Sequence, residues 1–234
     1  TEADIRPLFQ KQLEACGVDY FDIYLFHCIN HETYEKHKRC NSFDKIKALK
    51  EQGKIKHIAM SFHDTADVLD RILTEHPEVD YVQLQINYFD WEFLKAKALY
   101  DVARKYNKPI IIMEPIRGGM LANLPSDETR EILKAATKES GKEEVSYASY
   151  ALRFVEQLEG VVCTLSGMSS SEQMEDNIKT FSGDKLTDIE LAAIPVAASK
   201  LQADILVPCT ACDYCFECPR EIKIPKIFAW YNEA

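Results

Sequence analysis

Gly17-Val18-Asp19-Tyr20-Phe21-Asp22-Ile23-Tyr24-Leu25-Phe26-His27 is the stretch from which the fold can be read. Ahead of it, Ile5, Leu8, Phe9 and Leu13 fall on one face at helical spacing, and Gly17 supplies the residue type that ends a helix in the left-handed conformation. Behind that stop, Phe21 to Phe26 form a short β-rich run that ends on His27. The order is helix, tight turn, strand, with a titratable side chain at the strand's C-terminal end.

Working outward, four more such runs follow at Ile55 to Ser61, Tyr81 to Gln85, Pro109 to Met113 and Val161 to Ser166. Between them the periodicity turns helical. Leu94, Ala98 and Val102 run with Leu99, Ala103 and Tyr106, and Ile46 and Leu49 precede a stop at Gly53. The last three strands are nearly continuous apolar runs, as in strands buried on both faces, so a parallel sheet wrapped by helices is expected. Helices are predicted from about Ser171 to Phe181 and from about Thr187 to Leu201. The opening helix has no strand before it and the chain does not begin with Met, so the start of the protein is expected to have been removed.

Composition narrows the function. With 46% hydrophobic residues the chain can bury a sizeable core. A net charge of -10 disfavours nucleic acid and anionic membrane surfaces, both of which attract clustered Lys and Arg. No apolar run approaches the ~20 residues that cross a bilayer. A small-molecule ligand fits better, with no nucleic acid and no membrane among the expected partners. Of the eight cysteines, Cys16, Cys28, Cys40 and Cys163 are scattered, as reduced cysteines of a cytoplasmic protein would be.

The other four form Cys209-Thr-Ala-Cys212-Asp-Tyr-Cys215-Phe-Glu-Cys218-Pro219. Thiolates two residues apart can wrap the corners of a cubane iron-sulfur cluster, and the following Pro turns the chain away. Zinc is the competing reading, although its sites usually pair two such knuckles across a longer loop. Reactive thiols without metal are the third. Cys218 either closes a single cluster or serves a second one. Ile222, Ile224, Pro225 and Ile227 follow at spacings suited to shielding a cluster or to packing a short terminal helix. The change of character near Leu206-Val207-Pro208 separates residues 1–205 from a small cysteine module at 206–234.

His27 taken alone reads more often as a structural hydrogen-bonding residue than as a catalytic one, although catalytic groups in (β/α) barrels sit at the C-terminal ends of strands. Ser61, Gln83 and Glu114 stand at the ends of other predicted strands. The segment from Gly17 to His27 resembles the aldo/keto reductase stretch that runs from a helix into the histidine-bearing strand. Gly53-Lys-Ile-Lys-His-Ile-Ala-Met-Ser61, Gln83-Leu-Gln-Ile-Asn87, Met113-Glu-Pro-Ile-Arg-Gly-Gly119 and Leu165-Ser-Gly-Met168 with Glu172 to Asn177 follow in that family's order. The whole chain is similar to those members that carry a C-terminal iron-sulfur domain.

The resemblance implies a partial TIM-type (β/α)8 barrel, strands four to eight, followed by an iron-sulfur module. It implies that His27 hydrogen-bonds and polarises a substrate carbonyl. Ser61 and Gln83 would hold the carboxamide of NAD(P)H, Gly118 and Gly119 would let the backbone approach the cofactor, and Ser166, Gly167, Met168, Glu172 and Asn177 would line its adenosine half. Taken on their own residues, Gln83 could equally pair with backbone inside the barrel, and Gly118-Gly119 could be only a turn. A 4Fe-4S cluster would be held by Cys209, Cys212, Cys215 and Cys218. The substrate would be a small carbonyl or alcohol, with an electron-transfer partner for the cluster. Three departures stand out: Met113 occupies the place of a common stacking aromatic, Phe62 that of a common Asn, and the family's catalytic Asp, Tyr and Lys belong to strands not represented here. Without that Tyr the chain by itself is expected to be inactive. The alternative is an electron-transfer or binding protein on a barrel scaffold that does not reduce carbonyls.

The cysteine run gives a direct test. Anaerobic reconstitution with iron and sulfide is expected to give a brown protein, and Cys209→Ser, Cys212→Ser or Cys215→Ser to abolish the colour, whereas Cys218→Ser spares it if that thiolate serves another cluster. A colourless protein with stoichiometric zinc would defeat the iron-sulfur reading.

Overall fold

The computed structural model describes residues 1–203, 205–207, 209, 215 and 218–233. Along the chain run α1 (Glu2–Cys16), β1 (Phe21–Ile29), α2 (His31–Arg39), α3 (Ser42–Glu51), β2 (Ile55–Phe62), α4 (Ala66–Glu75), β3 (Tyr81–Gln85), α5 (Asp90–Phe93), α6 (Ala96–Lys105) and β4 (Ile110–Met113). They are followed by α7 (Asp127–Glu139), α8 (Tyr147–Glu156), β5 (Val161–Thr164), α9 (Ser171–Ser182), α10 (Asp188–Ala203) and α11 (Ile224–Glu233). The strands form one five-stranded sheet in sequential order, β1-β2-β3-β4-β5, with β1 parallel to β2 and β2 parallel to β3. Each predicted strand is present. Sequential order in a parallel sheet requires a crossover between neighbours, and helices supply it.

The chain divides into two compact units: residues 1–85, 97–112 and 160–163, and residues 86–96, 113–159 and 164–234. In the first, Gly17 adopts φ 65° and its amide reaches back to Glu14, while Val18 N–H donates to Leu13 O at 3.1 Å. This is the glycine stop expected for α1. Phe9 and Leu13, one turn apart, are buried, and Phe9 packs edge-on to Phe21 and Tyr24. Leu8, expected on the same face, is 55% exposed. Ile58, Ala59, Met60, Val82, Leu84, Ile110 and Ile112 are all buried, as in strands covered on both faces.

The second unit has its own core, in which Tyr88, Phe89, Leu133, Tyr150, Ile194 and Leu201 take part. Ser126 and Ser146 cap α7 and α8 by accepting from the amides of Thr129 and Ser149. At its centre Glu190, with no exposed surface, accepts from Thr187 N (2.9 Å), Lys142 Nζ (3.2 Å), Arg153 Nη1 (3.4 Å) and Thr137 Oγ1 (3.3 Å). Burial by itself raises the Glu190 pKa, but the Thr187 amide, the Arg153 charge and Lys142 outweigh it and hold the carboxyl below its ordinary value. That stabilisation is complete above the ordinary carboxylate range and is lost as pH falls through the lowered folded value.

Among the described residues no helix is long and apolar enough to cross a membrane.

Glu190→Ala strands the buried Arg153 and the half-buried Lys142 and should cost roughly 3–5 kcal/mol in urea denaturation at pH 7. A loss below about 1 kcal/mol would show the network to be incidental.

Candidate active site

In the first unit, the register of the parallel ladders sets three predicted residues in a row. Ser61 is the Cα partner of Gln83. On its other side, Phe26 pairs with Met60 and Ile29 with Phe62, so His27 and Cys28 together oppose the single residue Ser61. This is a bulge: β1 carries one residue more than β2 at that point. His27 is exposed and Gln83 half-buried. Ser61, expected to hold a cofactor amide, has no exposed surface, and its Oγ accepts from Cys28 N–H at 2.8 Å. Beside them His63 has its pKa lowered, first by burial and then by the charge of neighbouring His27.

In the second unit a cleft of about 430 Å³ is lined by Glu114, Gly118, Gly119, Ser166, Gly167, Met168 and Asn177, among others. Six of these seven were expected from the sequence for this purpose. The seventh, Glu114, was legible as a strand-end residue, and its Oε2 accepts from Gly118 N–H at 2.7 Å. Glu172, also expected here, is exposed in the first turn of α9 and does not line the cleft. Its carboxyl is held below the ordinary value by a hydrogen bond from its own amide and one from Ser170. Asn177, 7% exposed, donates from Nδ2 to Ser166 Oγ at 2.9 Å, tying α9 to the segment after β5. Ser170 caps α9 by accepting from Gln173 N–H. The cleft therefore lies beside a capped helix N-terminus, a place that favours negative charge.

The opposite wall is a strained turn. Glu114 (φ 53°), Arg117 (φ 50°), Gly118 (φ 61°) and Gly119 (φ 91°) all lie in the left-handed region. No heavy atom stands within 4 Å of where a Cβ would project from Gly119 or Gly167, so both present bare backbone to open space. Such a lining fits a flat ligand that approaches the main chain closely. Sequence reasoning missed what holds this turn. Asp90, without exposed surface, takes Arg117 Nε at 3.0 Å, and Asn87 Nδ2 donates to Asp90 Oδ2 (2.8 Å) and to Glu114 O (3.0 Å). Arg117 was inside a recognisable motif, but nothing in the sequence marks Asp90 as its partner. Arg117 also lies over Phe89, 4.6 Å from its centroid. The charged residues lining the cleft are Glu114, Asp176 and Arg117, and Arg117 is 3% exposed and ion-paired.

In the C-terminal tail, Cys209, Cys215 and Cys218 are half-buried, and Cys212 lies outside the described residues. Among the described residues no three His, Cys, Asp or Glu side chains are gathered so as to hold a metal ion. The three described thiols therefore do not make a cluster site by themselves. Ile222 and Ile227 are 44% and 47% exposed. Asn232 of α11 brackets Val207, donating to its oxygen and accepting from its amide at 2.8 Å each.

A model of the aldo/keto reductase family matches residues 1–197, and the chain belongs to that family. No curated protein matches it. Among solved structures, it is similar to the holo form of the aldo-keto reductase AKR11C1 from Bacillus halodurans, at 19% identity and a TM-score of 0.64 over 86% of this chain and 65% of that one. It is also similar to the thermostable aldo-keto reductase Tm1743 in complex with the inhibitor epalrestat, at 21% identity and TM-score 0.66 over 84% of this chain and 66% of that one. The glycerol dehydrogenase AKR11B4 from Gluconobacter oxydans gives 18% and 0.68 over 89% and 67%. These likenesses show a shared fold, with the chain spanning about two thirds of the length of each solved relative.

Removing the His27 charge, as in His27→Gln, should raise the His63 midpoint in an NMR titration, yet leave it below the ordinary histidine value, because burial is the larger cause. A midpoint that does not move would mean that the two rings are electrostatically independent.

Proposed function

We propose that this chain is the larger part of an aldo/keto reductase-type oxidoreductase that moves hydride between a nicotinamide dinucleotide and a small carbonyl or alcohol. The observation that carries the reading is the glycine-walled cleft beside the α9 N-terminus in a chain of this family. Bound NAD(P)H would supply the hydride. Gly118 and Gly119 would let the dinucleotide approach one wall, and Ser166, Gly167, Met168 and Asn177 would line the other. In the first unit His27 would donate a hydrogen bond to the substrate carbonyl oxygen and so stabilise charge developing there. Gln83, the ladder partner of Ser61, would take the carboxamide.

The resemblance assigns the proton donor to a Tyr on strands not represented here. Burial raises the pKa of Tyr24, whose hydroxyl donates to Gln12 at 2.6 Å, and raises that of Tyr88 further. Neither phenol suits general acid work near neutrality. The isolated chain is therefore proposed to bind the cofactor without turning over carbonyls, the acid coming from strands it does not contain. The spacing of Cys209, Cys212, Cys215 and Cys218 supports a 4Fe-4S ligand set in a module at 206–234, distinct from the barrel portion at 1–205, and with it an electron-transfer partner and a reducing, cytoplasmic setting. The same cysteine run favours the second reading, an electron-transfer protein on a barrel scaffold.

Cofactor titration separates these readings. The cleft offers Glu114 and Asp176 but no unpaired cation among its lining residues, so NADH is expected to bind at least as tightly as NADPH, whose 2′-phosphate needs a basic partner. Gly119→Val, which fills the open wall at a left-handed position, should weaken NADH binding by tenfold or more on the order of 1.4 kcal/mol. If the full chain binds neither dinucleotide in a fluorescence titration, the hydride-transfer reading fails. A strong preference for NADPH would overturn the charge argument alone.

A further inference from the structure

The bulge in β1 explains how an exposed histidine comes to stand between two buried residues. Phe26 is 5% exposed and Ile29 fully buried, while His27 between them is exposed. Strict alternation would put Ile29 on the same face as His27. The extra residue opposite Ser61 resets the alternation, so the chain returns Ile29 to the core and leaves the imidazole pointing outward.

That geometry is held against a local preference. Cys28 takes φ 56°, a left-handed value that side-chain-bearing residues rarely adopt. Both of its backbone polar groups are claimed by side chains. Its N–H donates to Ser61 Oγ at 2.8 Å, and its carbonyl accepts from Thr33 Oγ1 at 2.8 Å. Thr33 Oγ1 also accepts from Asn30 N–H at 2.8 Å, and Asn30 caps α2 by accepting from Thr33 N–H at 2.9 Å, so the clamp is built into the helix start. Downstream, His63 N–H donates to Ile29 O at 2.8 Å and closes the ladder beyond the bulge.

We propose that Ser61 and Thr33 are positioning residues that hold the Cys28 bulge and thereby aim the His27 imidazole. Ser61, wholly enclosed, acts on His27 through the strand end. The proposal rests on His27 being the group that meets the substrate carbonyl, and its test reads the clamp separately from that role.

The test is NMR on the full chain, following Cys28 amide exchange and the His27 ring resonances, with His37 and His57 as internal controls. Ser61→Ala should speed Cys28 exchange about tenfold and shift His27 while the controls stay. Cys28→Gly accepts the left-handed backbone without strain, so it should leave His27 near its wild-type resonance and, in the Ser61→Ala background, bring the displaced resonance back. Loss of packing at a buried serine would not be rescued in that way. A folded Ser61→Ala protein with wild-type Cys28 exchange and His27 resonances overturns the proposal. Should Ser61→Ala fail to fold, Thr33→Val gives the same reading: a shifted His27 supports the clamp and an unshifted one overturns it. If the chain binds neither NADH nor NADPH in a fluorescence titration while Ser61→Ala still frees Cys28, the hydride-transfer reading falls and the clamp stands.

Discussion

The ladder between parallel strands governs where chemistry can sit in the first unit. Parallel neighbours run in register, so residues at matching heights on β1, β2 and β3 are brought side by side whatever their separation in sequence. His27, Ser61 and Gln83 form such a row. The ladder also makes departures costly, because an extra residue in one strand must have its backbone groups satisfied elsewhere. At Cys28 two hydroxyls, from Ser61 and Thr33, meet that requirement. A histidine at a strand end becomes a fixed group because the strand beneath it is pinned.

The second unit solves a similar problem with charge. Two side-chain-bearing residues of the Glu114–Gly119 turn lie in the left-handed region, each at a cost of order 1–3 kcal/mol. The buried Asp90–Arg117 pair and Asn87 hold the turn, and they are satisfied among themselves, as a buried ion pair must be if it is not to destabilise the fold. Glu190 plays the equivalent part among the helices, where one carboxylate serves Arg153, Lys142 and the Thr187 amide. The walls of the cleft are thus set by residues whose guanidinium and carboxylate groups are turned inward. What remains toward the cleft is bare glycine backbone, a helix N-terminus and weakly acidic character.

The cysteine tail follows different physics from the rest of the chain. Its signal is spacing along the sequence rather than packing, and the described thiols do not assemble into a ligand set on their own. The Asn232 side chain hydrogen-bonds the Val207 backbone and so ties α11 to the chain entering the run.

What the sequence determined by itself is what local pattern can encode. The five strands, the helix stop at Gly17, the helices α3, α6, α9 and α10, and the motif residues of the cleft all follow from periodicity, turn chemistry and a family resemblance spread along the chain. Position along a strand also placed His27 and Ser61 near the C-terminal ends of their strands, whereas Gln83, expected at an end, is the middle residue of β3. Tertiary structure alone decided the rest. Leu8 shares the apolar spacing of Phe9 and Leu13 but finds no partner. Glu172 shares the motif of Asn177 but faces away from the cleft, since neighbouring helical positions differ by about 100°. Ser61 was legible as polar but not as enclosed, because the bulge opposite it depends on a register between two strands that no single stretch contains. Asp90 meets Arg117 only because the chain folds back across 27 residues of sequence. Hydrogen bonds and ion pairs between distant segments leave no period in a sequence, so burial and partnership are properties of the folded chain.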